Sequence, residues 1–210
     1  PPRLSGNFVS RMLLITTALM LEARPIRDQL GLESVPGLPY AVFEGADKML
    51  IVTGTGPLKA SAATGWALGR YPGFSAALNI GFAGAAGHVA PLYQWRHINA
   101  IHDQATRRVY VPDILWSHPF KEAPLLTVGE VVRSDIGWEG LVDMEGSGFY
   151  EAARSGLSPD RIALLKWVSD SLTGSIDVAA TKARFAADIR DVIEFIEAWP
   201  VPESREAGSV

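Results

Sequence analysis

Residues 141–153 of the chain read LVDMEGSGFYEAA. The apolar start is typical of a strand end, and the segment after the acid Glu145 is predicted to be a helix. Gly146 and Gly148 fall in the first turn of that helix, where each glycine costs roughly 1 kcal/mol relative to alanine. We therefore expect close packing or a nearby ligand to exclude side chains at these two positions.

The composition is that of one globular domain. The 210 residues are 48% hydrophobic and 20% charged, which suffices for one well-buried core. We assign the domain to residues 12–199, with a flexible lead-in at 1–11 and a flexible tail at 200–210. The longest apolar run, residues 12–21, is too short to span a bilayer, so no membrane span is predicted.

Charge and cysteine content restrict the partners. The 19 basic and 23 acidic residues give a net charge of -4 without any basic cluster, which argues against a nucleic-acid partner and favours a small molecule with little negative charge. The chain has no cysteine, which excludes disulfides, a thiolate nucleophile and cysteine metal sites. That absence is consistent with a reducing compartment, and we expect a cytoplasmic location.

Short β-rich runs alternate with helical segments along the chain. The predicted strands are residues 12–18, 40–44, 48–53, 76–82, 97–101, 108–111, 125–132 and 161–168. Helices are predicted over residues 22–31, from the glycine turn at 54–56 to about residue 70, after Glu145, and as one long amphipathic helix that Pro200 ends. This alternation predicts an α/β fold, a three-layer α/β/α sandwich around a mixed, mostly parallel central sheet.

Three acids follow the ends of predicted strands, where α/β sheets bind ligands. Asp170, after an apolar strand, is a candidate proton donor, and Glu22 is a candidate base for a water molecule. Glu145 is a candidate acceptor for two neighbouring hydroxyls. Each acid also has a purely structural interpretation: Asp170 as a helix cap, Glu22 and Glu145 as acids at helix starts.

Other catalytic motifs are absent. The turn at residues 54–56 is half a dinucleotide fingerprint, but the third glycine and the later acid are missing. The chain has neither a phosphate-binding loop nor a Gly-x-Ser-x-Gly elbow. Its histidines at 88, 97, 102 and 118 have no metal-ligand spacing. We therefore predict no cofactor and no metal, and we interpret the Ser134-Asp135 pair as a surface turn.

Four short segments, in order, resemble the nucleoside phosphorylase and nucleosidase superfamily. They are VTGTG at 52–56, NIGFAG at 79–84, VDMEG at 142–146 and VSD at 168–170. The resemblance is strongest to the hydrolytic branch, the methylthioadenosine/adenosylhomocysteine nucleosidases and futalosine hydrolases. It implies a cofactor-free enzyme that hydrolyses the N-glycosidic bond of a purine nucleoside, adenosine-type or modified at the 5′ carbon, and a homodimer.

The resemblance also implies roles for individual residues. Glu145 would hold the ribose hydroxyls with Met144 packed against the sugar, and Asp170 would protonate the five-membered-ring nitrogen of the departing purine. Glu22 would activate the attacking water. Protonation makes the base a better leaving group, and a carboxylate steadies the positive charge that develops on the ribose.

Further residues of the predicted substrate site come from the same motifs and their flanks. They are Asp143, Ser169, Gly84, Phe82, Val132 and Arg133, with the last two on the base side. The aromatic residues Tyr110, Trp116 and Phe120 are expected on the 5′ side or at a dimer contact.

The choice between water and phosphate follows from charge. The resemblance places Glu22, Asn79 and Phe82 where phosphorylases of the family bind phosphate, and an acid and a phenyl ring cannot hold an anion. Hydrolysis is therefore favoured. Three alternatives remain: a phosphorylase with a rebuilt phosphate site at Arg24 or Arg133, a non-catalytic nucleoside-binding protein with Phe82 in its site, and an unrelated α/β protein in which the three acids are caps.

Overall fold

The structure is a computed structural model that describes residues 12–173 and 178–199, so the predicted lead-in at 1–11 and tail at 200–210 lie outside the described residues. Ten strands form one sheet: β1 Met12–Thr17, β2 Glu33–Val35, β3 Ala41–Glu44, β4 Lys48–Val52, β5 Phe74–Gly84, β6 Trp95–Asp103, β7 Val109–Tyr110, β8 Lys121–Thr127, β9 Leu141–Asp143 and β10 Ile162–Asp170. The helices are α1 Met20–Leu30, α2 Pro57–Arg70, α3 Gly146–Ala153, α4 Val178–Asp188 and α5 Arg190–Ala198, with a short 3-10 turn at Pro159–Arg161.

The fold is mixed α/β, with helices packed on a central mixed sheet, as the sequence predicts. Two details differ from the prediction. Among the described strands, parallel and antiparallel pairings are equally frequent. Moreover, β5, β10, β6, β8 and β9 close into a ring, because β9 pairs back onto β5. An open middle layer of a sandwich has no such closure.

The length of β5 explains the ring. Its 11 residues outlast β1, which pairs only with residues 74–79 of β5. The end of β5 therefore remains available to β9, through the Gly84–Val142 pair, while β10 pairs with residues 77–84 along the other edge of β5. The regular geometry of strand pairing, rather than any local motif, thus brings the ends of β5, β9 and β10 together.

The core lies on both faces of the sheet. Alternate residues of β1 point to opposite sides, as expected for a central strand. Leu14 belongs to the cluster with the alanines of α2, while Ile15 packs with Ala23 and Ile26 of α1. None of the helices in the described ranges has the length and apolarity needed to cross a membrane.

The predicted long C-terminal helix is two helices, α4 and α5, divided at Ile189. The indole Nε1 of Trp95 donates to the carbonyl of Asp188, and the N–H of Val192 donates to Ile189 instead of Asp188. The Asp188 carbonyl thus accepts from a tryptophan far away in the sequence instead of from the N–H that would continue the helix. The strand predicted at 125–132 also ends earlier, at Thr127, and a loop follows in which Val128 is buried and residues 129–131 are exposed.

Candidate active site

The carboxyl ends of β1, β5, β9 and β10 surround a cleft of about 510 Å³. All of the residues predicted for the site line it: Glu22, Phe82, Gly84, Val132, Arg133, Asp143, Met144, Glu145, Ser169 and Asp170. The strand ends at which the sequence analysis expects a ligand therefore meet at one cleft. Two of the three aromatic residues expected on the 5′ side or at a dimer contact, Trp116 and Phe120, line a separate groove.

Glu145 precedes α3 but does not cap it. Its Oε1 accepts a hydrogen bond of 2.9 Å from the backbone N–H of Gly56, at the start of α2. No hydrogen bond to its Oε2 occurs within the described ranges, so this oxygen is available to a ligand. Burial raises the pKa of Glu145 to about 7, helped by the nearby Asp143, although Lys166 and the Gly56 N–H act in the opposite direction. Glu145 is therefore tied to two elements that meet only in the folded chain.

Asp143 lines the cleft, but its carboxylate is bound by other groups of the protein. Its carboxylate is fully enclosed, with Lys166 Nζ at 2.7 Å from Oδ2. The hydroxyl of Thr127 donates to Oδ1, and the N–H of Gly146 donates to Oδ2. Asp143 rather than Glu145 thus satisfies the first turn of α3, and its geometry favours support of the site over contact with a substrate.

Lys166 is the buried cation beneath the site. It is 1% exposed and lies in residues 162–168 of β10, where all the other side chains are apolar. Burial disfavours the charged ammonium, but Asp143, Glu145 and Glu22 outweigh that effect and raise the pKa of Lys166. One positive charge therefore faces three carboxylates, which keeps their mutual repulsion from opening the site.

Glu22 lies in the first turn of α1, and both of its oxygens are held by the backbone. The N–H of Leu19 donates to Oε2 and the N–H of Phe82 donates to Oε1, each at 2.8 Å. Gly81 keeps the space beside this carboxylate, because a Cβ there would lie 3.0 Å from Oε1. Burial raises the pKa of Glu22, and the two backbone donors oppose the shift. The acid is both a helix-start residue and a fixed acceptor at the cleft wall.

Asp170 ends β10 and is partly exposed to the cleft. The Ser169 hydroxyl donates to its Oδ2 at 2.8 Å, and the Leu172 N–H donates to its Oδ1 at 3.0 Å. Ser169 therefore orients the acid instead of being free for a ligand. Gly84 is required opposite, since a Cβ at that position would come within 2.8 Å of Oδ1.

Apolar side chains form the remaining walls. Phe82 lies in the cleft, with its ring packed against Trp167 at 5.6 Å and Phe185 at 4.9 Å. Met144 and Val132 contribute further apolar surface, and Arg133 is an exposed residue at the edge. A mostly apolar cleft with few polar groups suits a flat, uncharged ring system.

The glycines of α3 are explained by packing. A Cβ at Gly148 would overlap the carbonyl of Pro57, and a Cβ at Gly146 would come within 3.1 Å of the Asp143 carboxylate. Of the two expected reasons, close packing and a nearby ligand, the structure supports packing. The contact of α3 with the start of α2 also brings Gly56 to Glu145.

Sequence reasoning missed Lys166 and Gly56. The signal for Lys166 is a single lysine inside an apolar strand, since lysine is rarely buried unless it is paired. Gly56 belongs to the glycine turn and to the VTGTG segment, but nothing local indicates that its N–H faces an acid 89 residues away. Within residues 12–173 and 178–199, no group of three or more histidine and acidic side chains has metal-binding geometry.

Comparison with solved structures gives this chain the fold of the methylthioadenosine/adenosylhomocysteine nucleosidases, which is the fold that the resemblance of the four segments implies. No family model matches the chain, and no curated protein matches its sequence.

Three solved structures illustrate the likeness. The 5′-methylthioadenosine nucleosidase of Arabidopsis thaliana, in its apo form, is 18% identical with a TM-score of 0.74, over 91% of this chain and 98% of that one. The Chlamydia trachomatis MTAN bound to adenine is 20% identical with a TM-score of 0.71, over 90% and 99% of the two chains. The Neisseria meningitidis 5′-methylthioadenosine/S-adenosylhomocysteine nucleosidase, in complex with methylthio-immucillin-A, is 14% identical with a TM-score of 0.71, over 88% and 99%.

Proposed function

We propose that this protein is a nucleosidase that hydrolyses the N-glycosidic bond of an adenosine-type or 5′-modified purine nucleoside. The observation that carries the proposal is the meeting of Glu22, Glu145 and Asp170 in one largely apolar cleft. The bound adenine and immucillin of the structural neighbours support a purine nucleoside as the ligand class.

Asp170 is placed to act as the general acid. Protonation of the purine ring draws electrons from the glycosidic bond, so that the base leaves neutral instead of as an anion. Ser169 and the Leu172 N–H hold the carboxyl group in one orientation while it stays in contact with the cleft. A positioned acid of this kind contributes roughly 10²–10⁴-fold to a rate.

Glu145 is placed to bind the sugar. Its Oε1 is anchored by Gly56, and its second oxygen can accept a ribose hydroxyl. The nearby positive charge of Lys166 favours the ionised form that such acceptance needs. Binding the diol fixes the ribose relative to both other acids.

Glu22 is placed to activate water. An ionised carboxylate has about four acceptor positions, and the two backbone donors leave room for a water molecule. Removing a proton from that water as the base departs gives the hydroxyl that adds to the sugar carbon. The products are the free base and the free sugar.

The test is an assay of base release from a panel of purine nucleosides, including 5′-methylthio, 5′-homocysteinyl and futalosine-type members, with and without phosphate. We expect base release without phosphate. Release that requires phosphate, or no release from any member of the panel, would refute hydrolysis.

Asp170→Asn should lower kcat about 10²–10⁴-fold with a smaller change in KM, since it removes the proton donor and keeps the shape. Asp135→Asn is the matched control, because Asp135 belongs to the other Ser-Asp pair and caps a surface turn by accepting from the Gly137 N–H. Equal activity of the two variants would remove Asp170 from the mechanism.

Phosphorolysis is a second candidate because Arg133 lines the cleft. Arg24 is exposed and does not line it, and Asn79 is buried with its amide donating to Thr16. Ribose 1-phosphate among the products, lost in Arg133→Gln, would identify this reaction.

A binding protein without turnover is the alternative that Phe82 favours, and it predicts nucleoside binding by calorimetry that Asp170→Asn leaves unchanged. The homodimer and the cytoplasmic location remain predictions.

A further inference from the structure

A second groove lies apart from the cleft. It consists of two adjoining cavities of about 450 and 430 Å³ that share Pro119, Phe120 and Asp191 in their walls. Trp167 lies between the groove and the cleft, since its ring packs against Tyr93 on one side and Phe82 on the other. A ligand of this groove would not touch the three acids of the cleft.

One end of the groove contains a buried arginine without an acidic partner. Arg96 lines the cavity and is 6% exposed. Its guanidinium donates to the carbonyl of Trp95 and to Oε1 of Gln94, both neutral acceptors. It forms no ion pair with any carboxylate in the part of the chain that the structure describes, and burial lowers its pKa. Guanidinium has five N–H donors, so donors remain for a further acceptor.

The strand register increases the local positive charge. Lys166 is directly opposite Arg96 across β10 and β6, and Arg96 is directly opposite Lys121 across β6 and β8. Like charges at directly opposite positions destabilise a sheet. Asp143 compensates Lys166, but no ion pair of Lys121 is found among the described residues. Arg96 and Lys121 therefore lack a negative charge beside them.

The acids that line the groove do not supply a negative charge to Arg96 and Lys121. Asp188 is engaged by Arg184 at 3.0 Å and by the indole of Trp167. Asp191 is exposed on the wall that the two cavities share. The third acid of the groove, Glu194, is paired with Arg190 at 2.9 Å. The groove therefore has as many acids as cations, but in the described part of the chain none of these acids forms an ion pair with Arg96 or Lys121.

The other end of the groove is aromatic. Trp116, Phe120, Phe195 and Trp199 line it, with the Trp116 and Trp199 rings 5.3 Å apart. The Nε1–H of Trp116 is buried and has no acceptor within the described ranges. An unpaired buried donor is costly and is usually satisfied by water or a ligand.

We propose that this second groove binds a small organic oxyanion, a phosphate or carboxylate group carried on a planar ring. The anionic group contacts Arg96 and Lys121, where a guanidinium can form charge-assisted hydrogen bonds. The ring lies among Trp116, Phe120 and Trp199, which offer faces for stacking. The site is independent of the nucleosidase activity proposed for the cleft.

The test is calorimetric titration of the full chain with phenyl phosphate, benzoate, inorganic phosphate, acetate and neutral benzyl alcohol. We expect the ring-bearing anions to bind most tightly, inorganic phosphate and acetate more weakly, and benzyl alcohol least. Arg96→Met should weaken binding of the best ring-bearing anion about tenfold or more, the loss expected for a charge-assisted contact. Arg108→Met, which removes an exposed arginine paired with Glu151 outside the groove, should have no effect.

A measurement on the wild-type protein tests the proposal even if Arg96→Met misfolds. The indole N–H signals of Trp95, Trp116 and Trp199 should shift on addition of phenyl phosphate, while those of the remote Trp66 and Trp138 should not. Binding equal in Arg96→Met and wild type, uniform indole shifts, or no binding of any anion would overturn the proposal. None of these outcomes bears on base release from nucleosides, so the two proposals fail separately.

Discussion

Lys166 and Arg96 are direct neighbours across β10 and β6, and both are almost fully buried, yet their surroundings are opposite. Lys166 contacts Asp143 at 2.7 Å and faces Glu145 and Glu22. Among the residues that the structure describes, Arg96 has only a carbonyl and an amide oxygen for partners. A buried charge is retained when its environment compensates it, so the two cations indicate two kinds of site.

The cleft side is complete in itself. Its carboxylates already have backbone donors and a lysine, which fixes their positions without a ligand. In the groove, no carboxylate of the described residues pairs with Arg96, and an anionic ligand would supply that charge. One buried cation thus holds the proposed catalytic groups in place, while the other is a candidate for direct recognition of a ligand.

The largest effect on stability is expected from removing Lys166, the cation that pairs with Asp143. Lys166→Met would leave Asp143 buried without its counter-charge, and removal of one partner from a buried ion pair destabilises a protein by about 3–5 kcal/mol. Urea denaturation at pH 7 measures the loss. Lys48→Met is the matched control, because Lys48 pairs with Asp47 at the surface, where such pairs contribute about 0–1 kcal/mol. Equal losses in the two variants would contradict a structural role for the Lys166 pair.

The sequence predicts the parts of this arrangement that local patterns mark. It does not predict contacts between residues far apart in the chain. The three acids were found because strand ends are marked locally, by an apolar run that stops at Glu22, Glu145 or Asp170. Lys166 was missed because its partner, Asp143, is 23 positions away and joins it only after β5, β9 and β10 have paired. Local patterns predict positions along the chain, and partners require the fold.

The closure of the ring of strands and the division of the C-terminal helix both depend on contacts between residues far apart in the sequence. The apolar face of residues 185–196 predicts helix correctly, and Phe185, Val192 and Ile196 are buried as expected. The break comes from the indole of Trp95, which binds a carbonyl more than 90 positions later in the chain. No periodicity within the helix encodes that contact.

A smaller effect should appear in the pH dependence of stability. Glu145 has a pKa of about 7 in the fold, against 4.5 in the unfolded chain, chiefly because it is buried. Between these values the folded state binds more protons than the unfolded state, so the contribution of Glu145 to stability is full below pH 4.5 and is lost as the pH rises through 7. The loss amounts to at most about 3 kcal/mol.

The variant Glu145→Gln cannot titrate, and the stability of Glu145→Gln minus that of wild type should therefore rise between pH 4.5 and 7.5. Urea denaturation at several pH values gives this difference, which cancels the parallel contribution of Glu22. Glu44→Gln, at an exposed position of β3, serves as the control for removal of an acid outside the cleft. A flat difference for Glu145→Gln would show that Lys166 compensates its charge completely.

The smallest effect on stability is expected from removing Arg96, the cation that has no acidic partner among the described residues. Arg96→Met removes a buried charge that no described carboxylate balances, and it gives up two hydrogen bonds to neutral acceptors. These terms oppose each other, so the free energy of unfolding in anion-free buffer should change by less than about 1 kcal/mol. With saturating phenyl phosphate the wild type should gain stability by mass action, and Arg96→Met should gain less. A loss in Arg96→Met as large as in Lys166→Met, without any anion, would mean that Arg96 stabilises the fold in the same way as its neighbour, and the contrast between the two cations would disappear.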